Sequence, residues 1–271
     1  GGKNYFITSD GERVEMNDKR VQILIPSMGD LGAEMFSAAL RSLGFNAEAL
    51  PVSTSDTLKF GRSNASGKEC LPLLLLAGAL LEYIEKKWDG KSYIAFFIVQ
   101  GAGNCRLGQY PVFIRNVIKQ KRLKNVAQMV LMNEDGFAGF GSDFAMRGIQ
   151  AIIASDVLDD VRSAILANSI NPNSGIELFN NEIKNLIDKF VINPEKFYKH
   201  LEEFSNNIKT NIRSRIPVEK SKYIALLGEI YVRRDGFSHK WLNKVFAKKG
   251  FVVKTAHINE WIQYVDYLIK I

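Results

Sequence analysis

The sequence predicts an α/β protein: a Rossmann-like, doubly wound parallel-sheet lobe, then a helical connector, then a partial second Rossmann-like lobe. Three observations lead there. Tyr93-Ile94-Ala95-Phe96-Phe97-Ile98-Val99 is apolar on both faces, the pattern of a central parallel strand covered by helices on either side. Between residues 20 and 140, short apolar runs alternate with segments of helical period. From Ser142 to Arg215 the period is helical throughout, and the alternation resumes after Pro217.

Residues 1–19 read as a tail or tag remnant, since Gly1-Gly2 stands where a start methionine is expected. Residues 20–140 form the first lobe. Val21 to Ile25 is a strand ending at Pro26, and Leu31 to Leu43 a helix stopped by Gly44. Asn46 to Val52 is a weaker strand, followed by a helix cap in Ser53-Thr54-Ser55-Asp56. Cys70 opens an apolar helix from Leu71 to Tyr83, with Pro72 in its first turn. The strand at Tyr93 delivers the chain to Gly101 and Cys105; a helix from Tyr110 to Lys121 and a strand from Val126 to Met132 complete the lobe.

Residues 141–216 are the connector, broken at Asn171-Pro172-Asn173 and Asn193-Pro194. Residues 217–271 hold strand Lys222 to Gly228, a helix over Phe237 to Lys249, strand Phe251 to Ala256 and a last helix from Asn259. Two apolar strands do not stand alone in water, so they need cover from further chain, from the helical region or from another subunit. This lobe is therefore expected to be cut short, with the remainder in a longer protein.

At 271 residues and 46% hydrophobic content the chain is long and apolar enough for real cores. No run approaches the roughly 18–20 apolar residues of a membrane helix, and no signal-peptide pattern opens the chain. A cytoplasmic protein without membrane attachment is expected. The net charge of +7 is spread over segments such as Lys119 to Lys124 and Lys244 to Lys249 without interleaved aromatics, which argues for solvated faces and against a nucleic-acid groove.

The only two cysteines, Cys70 and Cys105, stand where helices begin, in Lys68-Glu69-Cys70-Leu71-Pro72 and Gly101-Ala102-Gly103-Asn104-Cys105-Arg106. A thiol in such a position feels the positive end of the helix dipole, which favours the thiolate that ligates iron or zinc. Small, buried, inert thiols are the other reading, and residue chemistry alone leaves both open. Gly61 to Glu69 has the outline of a nucleotide P-loop, but its glycines are one residue too far apart and Glu69 stands in the place of the metal-binding Ser or Thr. Gly101 and Gly103 follow a strand, yet Arg106 occupies the third glycine of a dinucleotide fingerprint; they serve equally to let backbone amides approach an anionic group. His200, His239 and His257 lack metal-ligand spacing. Glu229 ends a strand and reads either as a site carboxylate or as an ion-pair partner of Arg233 or Arg234.

Three blocks, Glu69-Cys70-Leu71-Pro72, then Gly101 to Arg106 with Tyr110, then Gly228-Glu229-Ile230-Tyr231-Val232-Arg233-Arg234-Asp235, together resemble the 2-hydroxyacyl-CoA dehydratase D-component family. The likeness is strongest to the domain in large activator-type proteins of 2-hydroxyglutaryl-CoA dehydratase. The resemblance implies a [4Fe-4S] or related iron–sulfur cluster near the interface of two lobes, ligated by Cys70 and Cys105, with Gly101, Gly103, Arg106, Tyr110 and Glu229 as cofactor-binding positions. It further implies an ATP-dependent activase as electron donor, an acyl-CoA substrate, and either a dehydratase-like or an electron-transfer role. The alternative is a cluster-free CoA-binding or partner-docking domain. Two departures stand out: the family's third cysteine is missing, and His239 stands where an Asn is expected. The remaining ligands would come from further chain or from a homodimer. No ATPase signature is present in the chain.

Overall fold

The computed structural model describes residues 5–101, 104–131 and 141–269. They divide into two compact units, Gly1–Ala33 with Leu43–Met146 and Glu34–Ser42 with Arg147–Ile271.

The first unit opens with β1 (Tyr5–Ile7) and β2 (Arg13–Glu15), an antiparallel hairpin with Phe6 opposite Val14. The expected tail is thus a structural element. Val14 and Met16 are buried, the Ser9 N–H donates to the Val126 carbonyl at 2.8 Å, and the Tyr93 hydroxyl donates to Glu12 Oε1 at 2.7 Å. Three-residue strands carry too little periodicity to be read from sequence.

The main sheet contains β3 (Val21–Ile25), β4 (Ala47–Ala49), β5 (Tyr93–Val99) and β6 (Val126–Leu131) in the order β4-β3-β5-β6, all pairs parallel. Helix α1 (Asp30–Ser42), which begins in this unit and ends in the other, follows β3; α2 (Ser55–Arg62) and α3 (Leu71–Lys86) lie between β4 and β5, and α4 (Tyr110–Gln120) between β5 and β6. The chain leaves β3 in one direction, to β4, and then returns to place β5 on the other side. That reversal makes the carboxyl ends of β3 and β5 a topological switch point, the place where open α/β sheets hold ligands. As expected, β5 is the central strand: Tyr93 to Ile98 are all buried, and Ile94, Phe96 and Ile98 pack with Leu73, Ala77, Leu80, Tyr110 and Ile114.

Helix α2 starts at Thr54, whose hydroxyl accepts from the Asp56 and Thr57 N–H groups while Thr57 Oγ1 accepts from the Thr54 N–H. It then crosses α3 with backbones nearly touching. A Cβ on Gly61 would lie 1.9 Å from the Leu74 carbonyl oxygen, and one on Gly78 would lie 1.9 Å from that of Thr57. This reciprocal contact sets where α3, and Cys70 at its head, can sit.

The second unit contains most of α5 (Gly141–Asn168), then α6 (Pro172–Ile192) and α7 (Phe197–Asn211). Next come β7 (Lys222–Leu226), α8 (Ile230–Arg234), α9 (Leu242–Ala247), β8 (Phe251–Thr255) and α10 (Ile258–Ile269). Strands β7 and β8 pair in parallel with Ile224 opposite Val253. The helix expected over 237–249 is shorter, because Lys240 and Trp241 adopt positive φ of 53° and 55° and break its start. The expected boundary at residue 217 does not separate compact units. Helix α5 covers the strands: Ala167 packs with Ala247 and Val252, and Ser163 Oγ accepts from the Val253 N–H at 2.9 Å. A mixed α/β architecture with a four-stranded parallel sheet is established, and no helix among the described residues is long and apolar enough to cross a membrane.

Candidate thiol site at the carboxyl edge of the sheet

Both cysteines take the position just before a helical turn. Cys70 is the N-cap of α3, in extended conformation, with Pro72 in the first turn and no capping bond from its side chain. The sulfur instead lies 2.9 Å from the hydroxyl of Tyr110, the buried residue that opens α4. Cys105 is the N-cap of a 3-10 turn, Arg106–Gln109, and its exposed sulfur accepts weakly from the Leu107 N–H at 3.5 Å. Helices α3 and α4 run from the carboxyl edge of a parallel sheet back to its amino edge, so their starts share that edge.

The two loops are tied together directly. Arg106 Nη1 donates to the Lys68 carbonyl at 2.7 Å, linking the residue after Cys105 to a residue two before Cys70. The Cys70 loop is itself closed by Glu69, whose carboxylate accepts from the N–H groups of Ser66, Gly67 and Lys68 and from the Ser66 hydroxyl. These donors hold the Glu69 carboxyl down to about 2, Ser66 first among them. Gly67, at φ of 88°, supplies the left-handed turn that aims three successive amides at one point. The P-loop outline therefore corresponds to a loop closed on its own carboxylate.

Of the other expected site residues, Gly101 faces the same turn: a Cβ there would meet the Leu107 side chain at 3.5 Å, an ordinary contact, so space alone does not demand glycine. Gly103 lies outside the described residues. Glu229 belongs to the second unit, whereas both cysteines belong to the first. Its carboxylate caps α8, accepting from the Val232 N–H at 2.8 Å. Arg233 and Arg234 have other partners. Arg233 donates to the carbonyls of Gly228, Ala256 and His257, while Arg234 pairs with Asp156 at 3.2 Å and Asp159 at 2.7 Å.

The histidines are engaged separately. His200 is buried beside Glu203, His239 Nδ1 accepts from the Leu242 N–H at 3.1 Å, and His257 Nε2 lies 3.0 Å from Asp160. Burial pushes His239 below the ordinary histidine range. What sequence reading missed is the acidic face of α5. Asp156, Asp159 and Asp160 are spaced three and four residues apart, a helical-face signal that was available.

Among the described residues, no three His, Cys, Asp or Glu side chains gather as a metal-binding group. The chain has two cysteines, Cys70 and Cys105, and a [4Fe-4S] cluster takes four ligands. The two cysteines alone are thus short of a cubane's ligand set. No family model matches the chain, and neither a curated protein nor a solved structure matches it.

Proposed function

We propose that this chain is an iron–sulfur cluster-binding component, dehydratase-like or electron-transferring, related to the 2-hydroxyacyl-CoA dehydratases and their activators. The observation that carries the reading is the tie between the two cysteine loops: Arg106 to Lys68 across the loops, and Tyr110 at the Cys70 sulfur. Two thiols, each just ahead of a helical turn and in loops bonded to one another, are what support the reading. A bound cluster would supply low-potential one-electron transfer, with its remaining ligands from a second polypeptide or a second copy. An ATP-dependent activase is the proposed electron donor, an acyl-CoA thioester the proposed substrate and the cytoplasm the proposed compartment.

The test is anaerobic reconstitution with ferrous iron and sulfide, read by visible absorption, iron content and electron paramagnetic resonance. Iron and sulfide retained by the native chain, and lost in both Cys70→Ser and Cys105→Ser, support the reading. A colourless, iron-free protein under those conditions overturns it. The incomplete ligand set favours one second reading: a cluster-free CoA-binding or partner-docking domain, which would bind CoA or its thioesters equally in the native chain and in the serine variants.

A further inference from the structure

Helix α5 has two faces of opposite chemistry. One face carries Asp156, Asp159, Asp160 and Ser163, all spent inside the second unit: on Arg234, on His257 and Lys254, on the Asn259 N–H and on the β8 backbone. The other carries Ile153, Val157 and Val161 and lines a groove shared with α7, of about 590 Å3. That volume is within the roughly 300–1,000 Å3 of ordinary ligand sites. Val157 is 50% exposed and Tyr198 70%, so the groove opens to solvent from both helices over a floor that includes buried Leu158, Phe197 and Phe204.

Helix α7 is sorted in the same way. Phe197, Leu201, Phe204 and Ile208 face the groove at helical spacing, and Glu202 and Glu203 do not line it; Glu203 is held by Lys189 at 2.7 Å. Both helices thus turn their carboxylates away. One charged side chain lines the groove, Lys209, near the apolar Ile212 and Val218 at the α7 carboxyl end. Lys209 is exposed. An apolar trough with a single cation at one end is complementary to an apolar chain ending in a single negative charge, and it repels the same chain ending in a positive one.

We infer that the α5–α7 groove is a binding site for a long-chain aliphatic carboxylate, with the hydrocarbon along Ile153, Val157 and Leu201 and the carboxylate at Lys209. The site is independent of the cysteines, which lie in the other unit.

Titration calorimetry with myristate, with a quaternary ammonium of equal chain length, and with butyrate tests the assignment on the whole chain. The expected result is binding of myristate at one equivalent, at least tenfold weaker binding of the cationic amphiphile, and none of butyrate. Lys209→Glu should reverse the preference between the two long chains, and Val157→Asp should remove both. Both positions are solvent-exposed, and circular dichroism verifies that the variants are folded. Equal binding of anion and cation, or binding indifferent to Lys209→Glu, overturns the inference. So does absence of myristate binding. Sedimentation gives the remaining outcome: a dimer that Val157→Asp dissociates would make a second copy the occupant, and would refute the carboxylate site.

Discussion

The Tyr110 hydroxyl stands 2.9 Å from the Cys70 sulfur, joining the first residue of α4 to the residue that precedes α3. Cys105 has no comparable cover and is exposed. Alkylation should therefore distinguish the two thiols. With limiting iodoacetamide, peptide mass spectrometry is expected to find Cys105 modified before Cys70. Tyr110→Phe keeps the buried ring but deletes the hydroxyl, and is expected to cost about 0.5–1.5 kcal/mol in urea unfolding, the range for one hydrogen bond.

Gly78 decides the α2–α3 crossing. By intrinsic propensity Ala would stabilise an exposed helix interior by about 1 kcal/mol. Here the added methyl meets the Thr57 carbonyl at 1.9 Å, backbone against side chain, so the helices must separate. Gly78→Ala is expected to destabilise the protein by roughly 2–4 kcal/mol, the scale of overpacking a close contact. Urea unfolding of this variant beside Ala79→Gly, on the same helix, separates the clash from propensity.

Arg234 is a charge with almost no access to water: its side chain and that of Asp156 are each 1% exposed. Removing one partner leaves the other buried and uncompensated. Arg234→Ala is expected to cost about 3–5 kcal/mol, and Arg234→Met combined with Asp156→Leu much less than the sum of the singles. A double-mutant cycle by chemical denaturation measures both quantities. Additive losses would mean that the two residues are not coupled.

Asp89 organises the turn ahead of β5, accepting from the N–H groups of Ser92 and Lys91 and from the Ser92 hydroxyl. These bonds, Ser92's backbone foremost, lower its carboxyl to about 2 from the ordinary 3.8. Since the folded value is depressed, the stabilisation is complete above the unfolded value and disappears as pH falls from near 4 towards 2. NMR titration should place the Asp89 midpoint near 2, and Asp89→Asn should abolish that part of the acid response.

The parts of this fold legible in sequence are those whose burial is written into consecutive residues. Strand β5 is apolar on both faces and central, and Cys70 with Pro72 marks the start of α3 where it is found. The β1–β2 hairpin was illegible because few of its residues, among them Val14 and Met16, commit to the interior, and its attachment depends on partners such as Val126 far along the chain. The union of α5 with β7 and β8 was hidden for a related reason. Its decisive contacts pair Asp156 with Arg234 and Ser163 with Val253, and no local period announces such partners. At the candidate site, the cysteine positions were legible, while the closure of the Glu69 loop and the role of Glu229 as a helix cap depended on backbone geometry.

The β1–β2 hairpin also bears on the order in which the first unit closes. Its backbone and side-chain anchors reach Leu123, Asn125 and Val126, and the bond between the Val126 N–H and Ser9 Oγ closes a separation of 117 residues. The Tyr93 hydroxyl in β5 adds a bond to Glu12 across 81 residues, so the hairpin's long-range anchors lie in β5 and in and just before β6. Contacts so distant in sequence are slow to close, so the hairpin is expected to dock late, after β5 and β6 have joined the sheet.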